Sequence, residues 1–241
     1  MTLIRTLLKT SLDTGRQILT GPLSGAVDVA PTQGVMVPIC SLGPEQRPRI
    51  LQHLLALDPQ DRYLRFGYAA NDEQIQRYVD GLHFERDEIF GIFNSRLDIV
   101  AMAHLALNLE PGTEACAEFG VSVQKRSRGR GYGARLFERA AMHARNEGVL
   151  LLFIHALSEN VPMIKIARKF GATVERDGSE TEAYVRLPHA NFDSQLTELV
   201  SEQFAQTNYA IKEQVRRFLD FLAQVQEVRQ GVREARHQSA E

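Results

Sequence analysis

The stretch Ala117 to Gly148, AEFGVSVQKRSRGRGYGARLFERAAMHARNEG, runs from a strand through a basic, glycine-rich turn into a helix. Phe119, Val121 and Val123 alternate as in a half-buried strand. Arg128, Gly129, Arg130, Gly131, Tyr132, Gly133 and Ala134 form the turn and the start of the helix. Leu136, Phe137, Ala140, Ala141 and Ala144 then recur at helical spacing until Gly148 stops the run. A helix start carries unpaired N–H groups and the positive end of the macrodipole. Glycines there let the backbone close on a ligand, and arginines add charge. The combination suits a phosphate.

Upstream of this stretch, Val35 to Leu42 is predicted as a first strand, followed by a helix carrying Ile50, Leu51, Leu54, Leu55 and Leu57. Asp58–Ala70 reads as a turn with aromatic and basic residues. Asn71 caps the next helix, with Gln74 three residues on as in a capping box. Glu88–Phe93, Asp98–Leu109 and Cys116–Val123 are strands whose short connections predict antiparallel pairing. Downstream, the apolar run Val149–Leu157 reads as a buried central strand. A helix over Asn160–Phe170 ends at Gly171, and strands Ala172–Arg176 and Ala183–Leu187 are joined at Asp177-Gly178. Residues 35–190 thus form one α/β (α+β) domain with a mixed sheet.

The ends are different in kind. Residues 1–20 pattern as an amphipathic helix with Leu3, Ile4, Leu7, Leu8 and Leu12 on one side, and 26–34 as linker. That helix is expected to dock on the domain or a partner, with a membrane-surface helix as the alternative. From 191 to 241 the chain reads as a helical extension and tail. Phe204, Asn208, Ile211, Val215, Phe218, Leu222 and Val225 alternate by four and three, the spacing of a coiled-coil seam. It either wraps back on its own domain or makes a homodimer.

Among the 241 residues, 44% are apolar and 24% charged, as in a globular protein, and the net charge of −2 argues against a nucleic-acid partner. Cys40 and Cys116 form no metal or disulfide pattern, so no metal and a reducing cytoplasmic setting are expected. No apolar run is long enough for an integral membrane contact, and the first residues lack a secretory pattern.

Three phosphate-binding readings fit the turn poorly. A P-loop needs Gly-Lys-Ser/Thr where the chain has Gly133-Ala134-Arg135. A dinucleotide fingerprint is matched by Gly129, Gly131 and Ala134, but the strand that follows is apolar where an acidic residue belongs, and antiparallel strands come first. An RNA-binding RG segment would not continue into an amphipathic helix.

A fourth reading fits. Val121-Ser122-Val123 followed by Arg128 through Ala134 resembles the acyl-CoA-binding motif of the GNAT N-acetyltransferase superfamily, Gln/Arg-x-x-Gly-x-Gly/Ala, with Arg128, Gly131 and Gly133 at the signature places. Asn160 through Ala172 resembles the family's second motif, in which an Asn opens a helix ending in Gly-Phe. Asp61-Arg62-Tyr63-Leu64-Arg65-Phe66 and Ala117-Glu118-Phe119 look like the acetyltransferase domain of Pat-type protein lysine acetyltransferases. The resemblance implies the GNAT fold, with acetyl-CoA as cosubstrate and direct acetyl transfer to an amine acceptor, a protein lysine or a small molecule. It also implies that the strand around Val121–Val123 contacts the pantetheine arm and supplies the oxyanion donor, and that the turn's amides hold the pyrophosphate.

An ammonium cannot attack a thioester, so a base must take its proton. Glu118 is the candidate, since partial burial would raise its pKa usefully; an edge-strand carboxylate or a pair with Arg65 is the structural alternative. Glu114 is the next candidate. Many family members carry a Tyr acid where this chain has Ala167, which leaves water or Ser158 to protonate the thiolate. Asn160 is expected to hydrogen-bond the cofactor, with a plain helix cap as the alternative. His104 and His155 are expected to be core or cleft-lining, Arg62 and Arg65 to pair structurally or to recognise an acidic substrate group. Cys116 lacks the paired His of a nucleophile. The rival from another class is a catalytically idle acyl-CoA-binding module.

Overall fold

The computed structural model describes residues 37–109, 115–177 and 180–238, with side chains in 37–109, 115–175, 181–217 and at 220. The expected N-terminal helix and linker, Glu114, Gly178 and the last three residues lie outside the described residues.

Strand β1 (Cys40–Ser41) is shorter than predicted. Pro38, with no N–H to give, sits just ahead of it. A 3₁₀ turn leads into α1 (Arg47–Leu55), which buries Ile50, His53 and Leu54. The next segment differs from the expected turn: Pro59–Phe66 is a helix, α2. Asp58 accepts from the Asp61 amide at 2.8 Å and Pro59 occupies the first turn, a start signal that outweighs the aromatic and basic composition. Gly67, at φ +79°, closes it. Helix α3 (Asp72–Asp80) opens with the predicted Asn71/Gln74 capping box.

Strands β2 (Glu88–Phe93), β3 (Ile99–Asn108) and β4 (Cys116–Val123) follow, then α4 (Tyr132–Asn146), β5 (Leu151–Leu157), α5 (Val161–Lys169), β6 (Thr173–Asp177), β7 (Glu180–Arg186) and α6 (Phe192–Gln238). The described strands form one seven-stranded sheet in the order β1-β2-β3-β4-β5-β7-β6. All neighbours are antiparallel except β4 and β5. The sheet is therefore mixed, with flanking helices, as expected for the α+β GNAT fold.

The period-2 alternation of β4 divides the core. Ala117 and Phe119 face α4, where Phe137 packs between Phe119 and Phe170 at centroid distances of 5.0 and 4.7 Å. Burying that much aromatic surface stabilises the α4 side by several kcal/mol, roughly 3–5 for a Phe truncated to Ala. The opposite face packs on α1 and α3 through Ile50, Leu54, Ile75 and Val79.

Helix α6 lies back on the domain, against α4 and β1. Ala205 is fully buried there, and Tyr209 packs on Phe93 at 4.9 Å. The docked side is adjacent to the predicted seam, not identical with it: the seam residues Ile211 and Val215 are more than half exposed.

Candidate active site

The site begins where β4 and β5 part. Their parallel pairing covers only Cys116↔Leu151, Ala117↔Leu152 and Glu118↔Phe153, although both strands run on. The Gln124 amide donates to Val100 O of β3. By strand alternation the amides of Gly120 and Ser122 also face β3, and those of Val121 and Val123 face the gap. The fork thus carries hydrogen-bonding backbone that β5 does not satisfy, along about 17 Å of strand from Glu118 to Val123.

At the far end of this open edge is the glycine turn. A 3₁₀ turn (Lys125–Ser127) leads to Arg128 in extended conformation. Gly129 and Gly131 have φ of +74° and +73°, a region that favours glycine. Gly131 is the N-cap of α4 and offers no side-chain cap. The first amide of the helix drawn back into it is that of Arg135, bonded to Gly131 O, so the amides of Tyr132, Gly133 and Ala134 point out of the helix start. A Cβ at Gly133 would come within 3.0 Å of Ile166 Cδ1, so this glycine lets α4 approach α5. Arg130 is exposed, and Arg128, half exposed, is ion-paired with the buried Asp61 of α2.

Opposite the turn, the cleft at the fork has a volume of about 630 Å³ and is bounded by the end of α2, by Glu118–Val121, by His155–Leu157 and by Asn160 and Met163. Asn160 caps α5, accepting from the Met163 amide at 3.2 Å, and reaches Leu64 O at 3.4 Å. Ser122 is turned away: its hydroxyl lies 2.8 Å from His53 Nε2 on the α1 side. Of the trio Val121, Ser122 and Val123, then, the two valines present backbone to the fork. His53 Nδ1 donates to Ile99 O at 2.9 Å, and burial lowers its pKa to about 4, so the neutral ring accepts the Ser122 proton at Nε2. Ala167 is buried in the core and adds only a methyl group. Ser158 is hydrogen-bonded to Thr181 at 2.9 Å.

Glu118 stands at the vertex of the fork with its side chain 59% exposed. The side chain beside it is not Arg65 but His155 of β5, with Nδ1 3.3 Å from Oε1, and His155 Nε2 lies 3.6 Å from Glu182 Oε1 of β7. Glu118 and His155 also border a second, wider groove of about 1030 Å³, whose lining includes Glu85, Asp87, Glu88 and Glu147. The pair sits on the rim between the two depressions.

Beneath this rim runs a polar chain that no local pattern announced. Arg65 packs on Gly120, where a Cβ would meet the guanidinium at 2.8 Å, and donates to Tyr78 Oη at 2.9 Å. Tyr78 Oη is 2.8 Å from His104 Nδ1, and His104 Nε2 is 3.1 Å from Asp87. Burial, reinforced by the Arg65 charge, lowers the His104 pKa, and burial raises that of Tyr78. A neutral His104 accepting from Tyr78 and donating to Asp87 satisfies every member. His104 is structural, whereas His155 lines the cleft. Arg62 is structural too, spanning Leu55 O, Leu57 O and Asp72.

Among the described residues no three His, Cys, Asp or Glu side chains are grouped to hold a metal ion, and no described helix is long and apolar enough to cross a membrane.

An open strand edge, an uncapped glycine-started helix and the Glu118–His155 pair thus border one fork in the sheet. The family profile of the acetyltransferase (GNAT) family matches residues 51–172, half of the chain, and the chain belongs to that family. Among solved structures it is similar to the GNAT domain of S. lividans PAT, with 20% identity, TM-score 0.53, and coverage of 64% of this chain and 95% of that one. It is also similar to spermidine N-acetyltransferase from Vibrio cholerae in complex with CoA and spermine, with 14% identity, TM-score 0.51, and coverage of 64% and 96%. A third is ribosomal-protein-alanine N-acetyltransferase from Brucella melitensis, with 15% identity, TM-score 0.50, and coverage of 62% and 99%. At these identities the likeness is one of fold. A comparison with curated proteins finds no match.

Proposed function

We propose that the protein is an N-acetyltransferase that moves the acetyl group of acetyl-CoA directly to an amine. The observation that carries this is the parting of β4 and β5, with the glycine turn at one end of the open edge and Glu118 at the other. The residues fit the cosubstrate: Val121 and Val123 would bond its extended arm, and the amides of Tyr132, Gly133 and Ala134, with Gly129, Gly131, Arg128 and Arg130, would hold its pyrophosphate. Asn160, at the mouth of α5, lines the cleft and would border the arm. Acetyl-CoA supplies the activated acyl group, and Glu118 takes the proton from the acceptor. The acceptor enters from the second groove, whose carboxylates favour a cation. A protein lysine, which the sequence resemblance to Pat-type acetyltransferases implies, and a small-molecule amine both meet that requirement. The exposed face of α6 is the surface through which two copies would associate.

The test follows free thiol while the protein is incubated with acetyl-CoA and a panel of amines and lysine peptides. Turnover is expected, with Glu118→Gln lowering kcat by roughly 10²-fold or more and leaving acetyl-CoA affinity near wild type. Unchanged turnover in the variant removes Glu118 from the mechanism. Tight CoA binding with no turnover across the panel establishes the idle binding module. Thermal stabilisation by NAD(H) and not by CoA overturns the cofactor, since a ligand bound only by the native state raises its stability.

A further inference from the structure

We propose that Glu118 does not work alone and that His155 is the second half of a proton-relay dyad at the fork. The proposal rests on the acetyl-transfer function above and goes beyond it by naming where the proton travels. The geometry comes from the tertiary fold. Glu118 is on β4 and His155 on β5, and the last rung of their parallel pairing, Glu118↔Phe153, puts His155 two residues further along the same face. The Phe153 ring lies parallel to that of His155 at 4°, with centroids 6.3 Å apart. On the other side β7 pairs with β5 so that Glu182 is directly opposite His155. The three groups therefore stand in a row across three neighbouring strands: Glu118, the imidazole, then Glu182, at 3.3 and 3.6 Å. Glu175, the cross-strand partner of Glu182 on β6, and Arg65 at the end of α2 are the other charged groups of this cleft.

The chemistry asks for such a row. Glu118 is more than half exposed, and the group that stands beside it is the imidazole of His155. An imidazole is the side chain whose ordinary range matches neutral pH. In the relay, Glu118 takes one proton from the acceptor ammonium, which becomes the free amine. Glu118 passes that proton to Nδ1 of the neutral imidazole, and the resulting imidazolium, flanked by two carboxylates, releases its Nε2 proton past Glu182 to water. The amine nitrogen then forms the C–N bond as the C–S bond breaks, and the proton it sheds in becoming an amide goes to the departing thiolate. One proton is released to solvent for each acyl group moved; Glu118 is restored directly, and the imidazole, left protonated at Nδ1, regains its starting tautomer by proton exchange with water at the half-exposed ring.

The test compares wild type, His155→Gln, His155→Ala, Glu118→Gln and the Glu118→Gln/His155→Gln double variant. His155→Gln is expected to lower kcat by tenfold to a hundredfold with acetyl-CoA affinity and melting temperature unchanged. Added imidazole is expected to restore part of the His155→Ala rate. The double variant is expected to be no slower than the slower single one, because the two groups serve one step. A readout independent of turnover is the ¹⁵N shift of the His155 ring in the protein without acetyl-CoA, which should move on Glu118→Gln substitution. A wild type that turns over while His155→Gln stays within twofold of it, a His155→Ala variant deaf to imidazole, or ring shifts unmoved by Glu118→Gln overturns the relay and leaves acetyl transfer standing. A wild type without turnover on any amine overturns acetyl transfer, and the relay with it.

Discussion

Substituting Glu198→Gln removes one charge from the junction of α4 and α6 while keeping the shape of the side chain. Glu198 accepts from Arg139 Nη1 at 2.6 Å and His143 Nδ1 at 2.6 Å through one oxygen, and from Asn146 Nδ2 at 2.5 Å through the other. Arg139 is buried at 6% exposure, with Glu202 at 3.0 Å as its other partner. Burial pushes the Glu198 pKa up, but the hydrogen bonds from His143, Arg139 and Asn146 outweigh it and bring the value from 4.5 to about 2. At about 1.4 kcal/mol per pKa unit, and with the side chain mostly shielded, the charged form is worth about 2–3 kcal/mol to the folded state. For a chain of this size that corresponds to roughly 4–12 °C in Tm. The sign follows from the two partners. Glu198, depressed, contributes above its ordinary value of 4.5, and the contribution is lost as pH falls toward about 2. For His143, burial works downward but the hydrogen bond and charge of Glu198 outweigh it, so its pKa is raised above 6.5. Its share is complete below 6.5 and lost as pH rises through the folded value. Urea unfolding of both proteins at pH 3, 5.5 and 8.5 should therefore show the largest gap at pH 5.5 and smaller ones on either side. A gap under about 0.5 kcal/mol at pH 5.5, the level of an ordinary surface pair, or one that grows on acidification, would refute the reasoning.

Two further substitutions probe the site from opposite sides. Gly131→Ala forces an L-residue to φ +73° at the start of α4, which should cost about 1–2 kcal/mol in unfolding and raise the KM for acetyl-CoA several-fold; an unchanged KM would detach the turn from cosubstrate binding. Ser122→Ala leaves the Nε2 of a His53 that is 1% exposed without its partner, which should cost about 1–3 kcal/mol by thermal unfolding. The same variant should keep the wild-type KM for acetyl-CoA, and a raised KM would place Ser122 at the fork after all.

The features that local chemistry controls were legible in the sequence. The strand–turn–helix from Ala117 to Gly148 follows from a period of two giving way to 3.6 around glycines, and those glycines adopt the positive φ that makes the turn. The Asn71/Gln74 box is written in two side chains three residues apart. Even the helix over Pro59–Phe66, which composition concealed, had a local signal in Asp58-Pro59. Asn160 shows where local signals stop: the structure makes it the helix cap that was the alternative reading, and only the fork makes that cap part of a cleft wall.

Tertiary structure decided what each site residue touches. Asp61 reaches Arg128 across 67 positions, His53 reaches Ser122 across 69, and Glu198 reaches Arg139 across 59. None of these pairings has a sequence period, because each depends on which strands are neighbours and in what register. The exposed face of α6 likewise differs from its docked face only because α4 and β1 lie where they do. His155 is the sharpest case. In the sequence it is one polar residue in an apolar run, placed in the core or at the cleft with equal justice. A parallel rung at Glu118↔Phe153 and an antiparallel one at His155↔Glu182 set it between two carboxylates. Alternation along a chain determines which face a side chain takes, and only strand pairing determines what stands beside it.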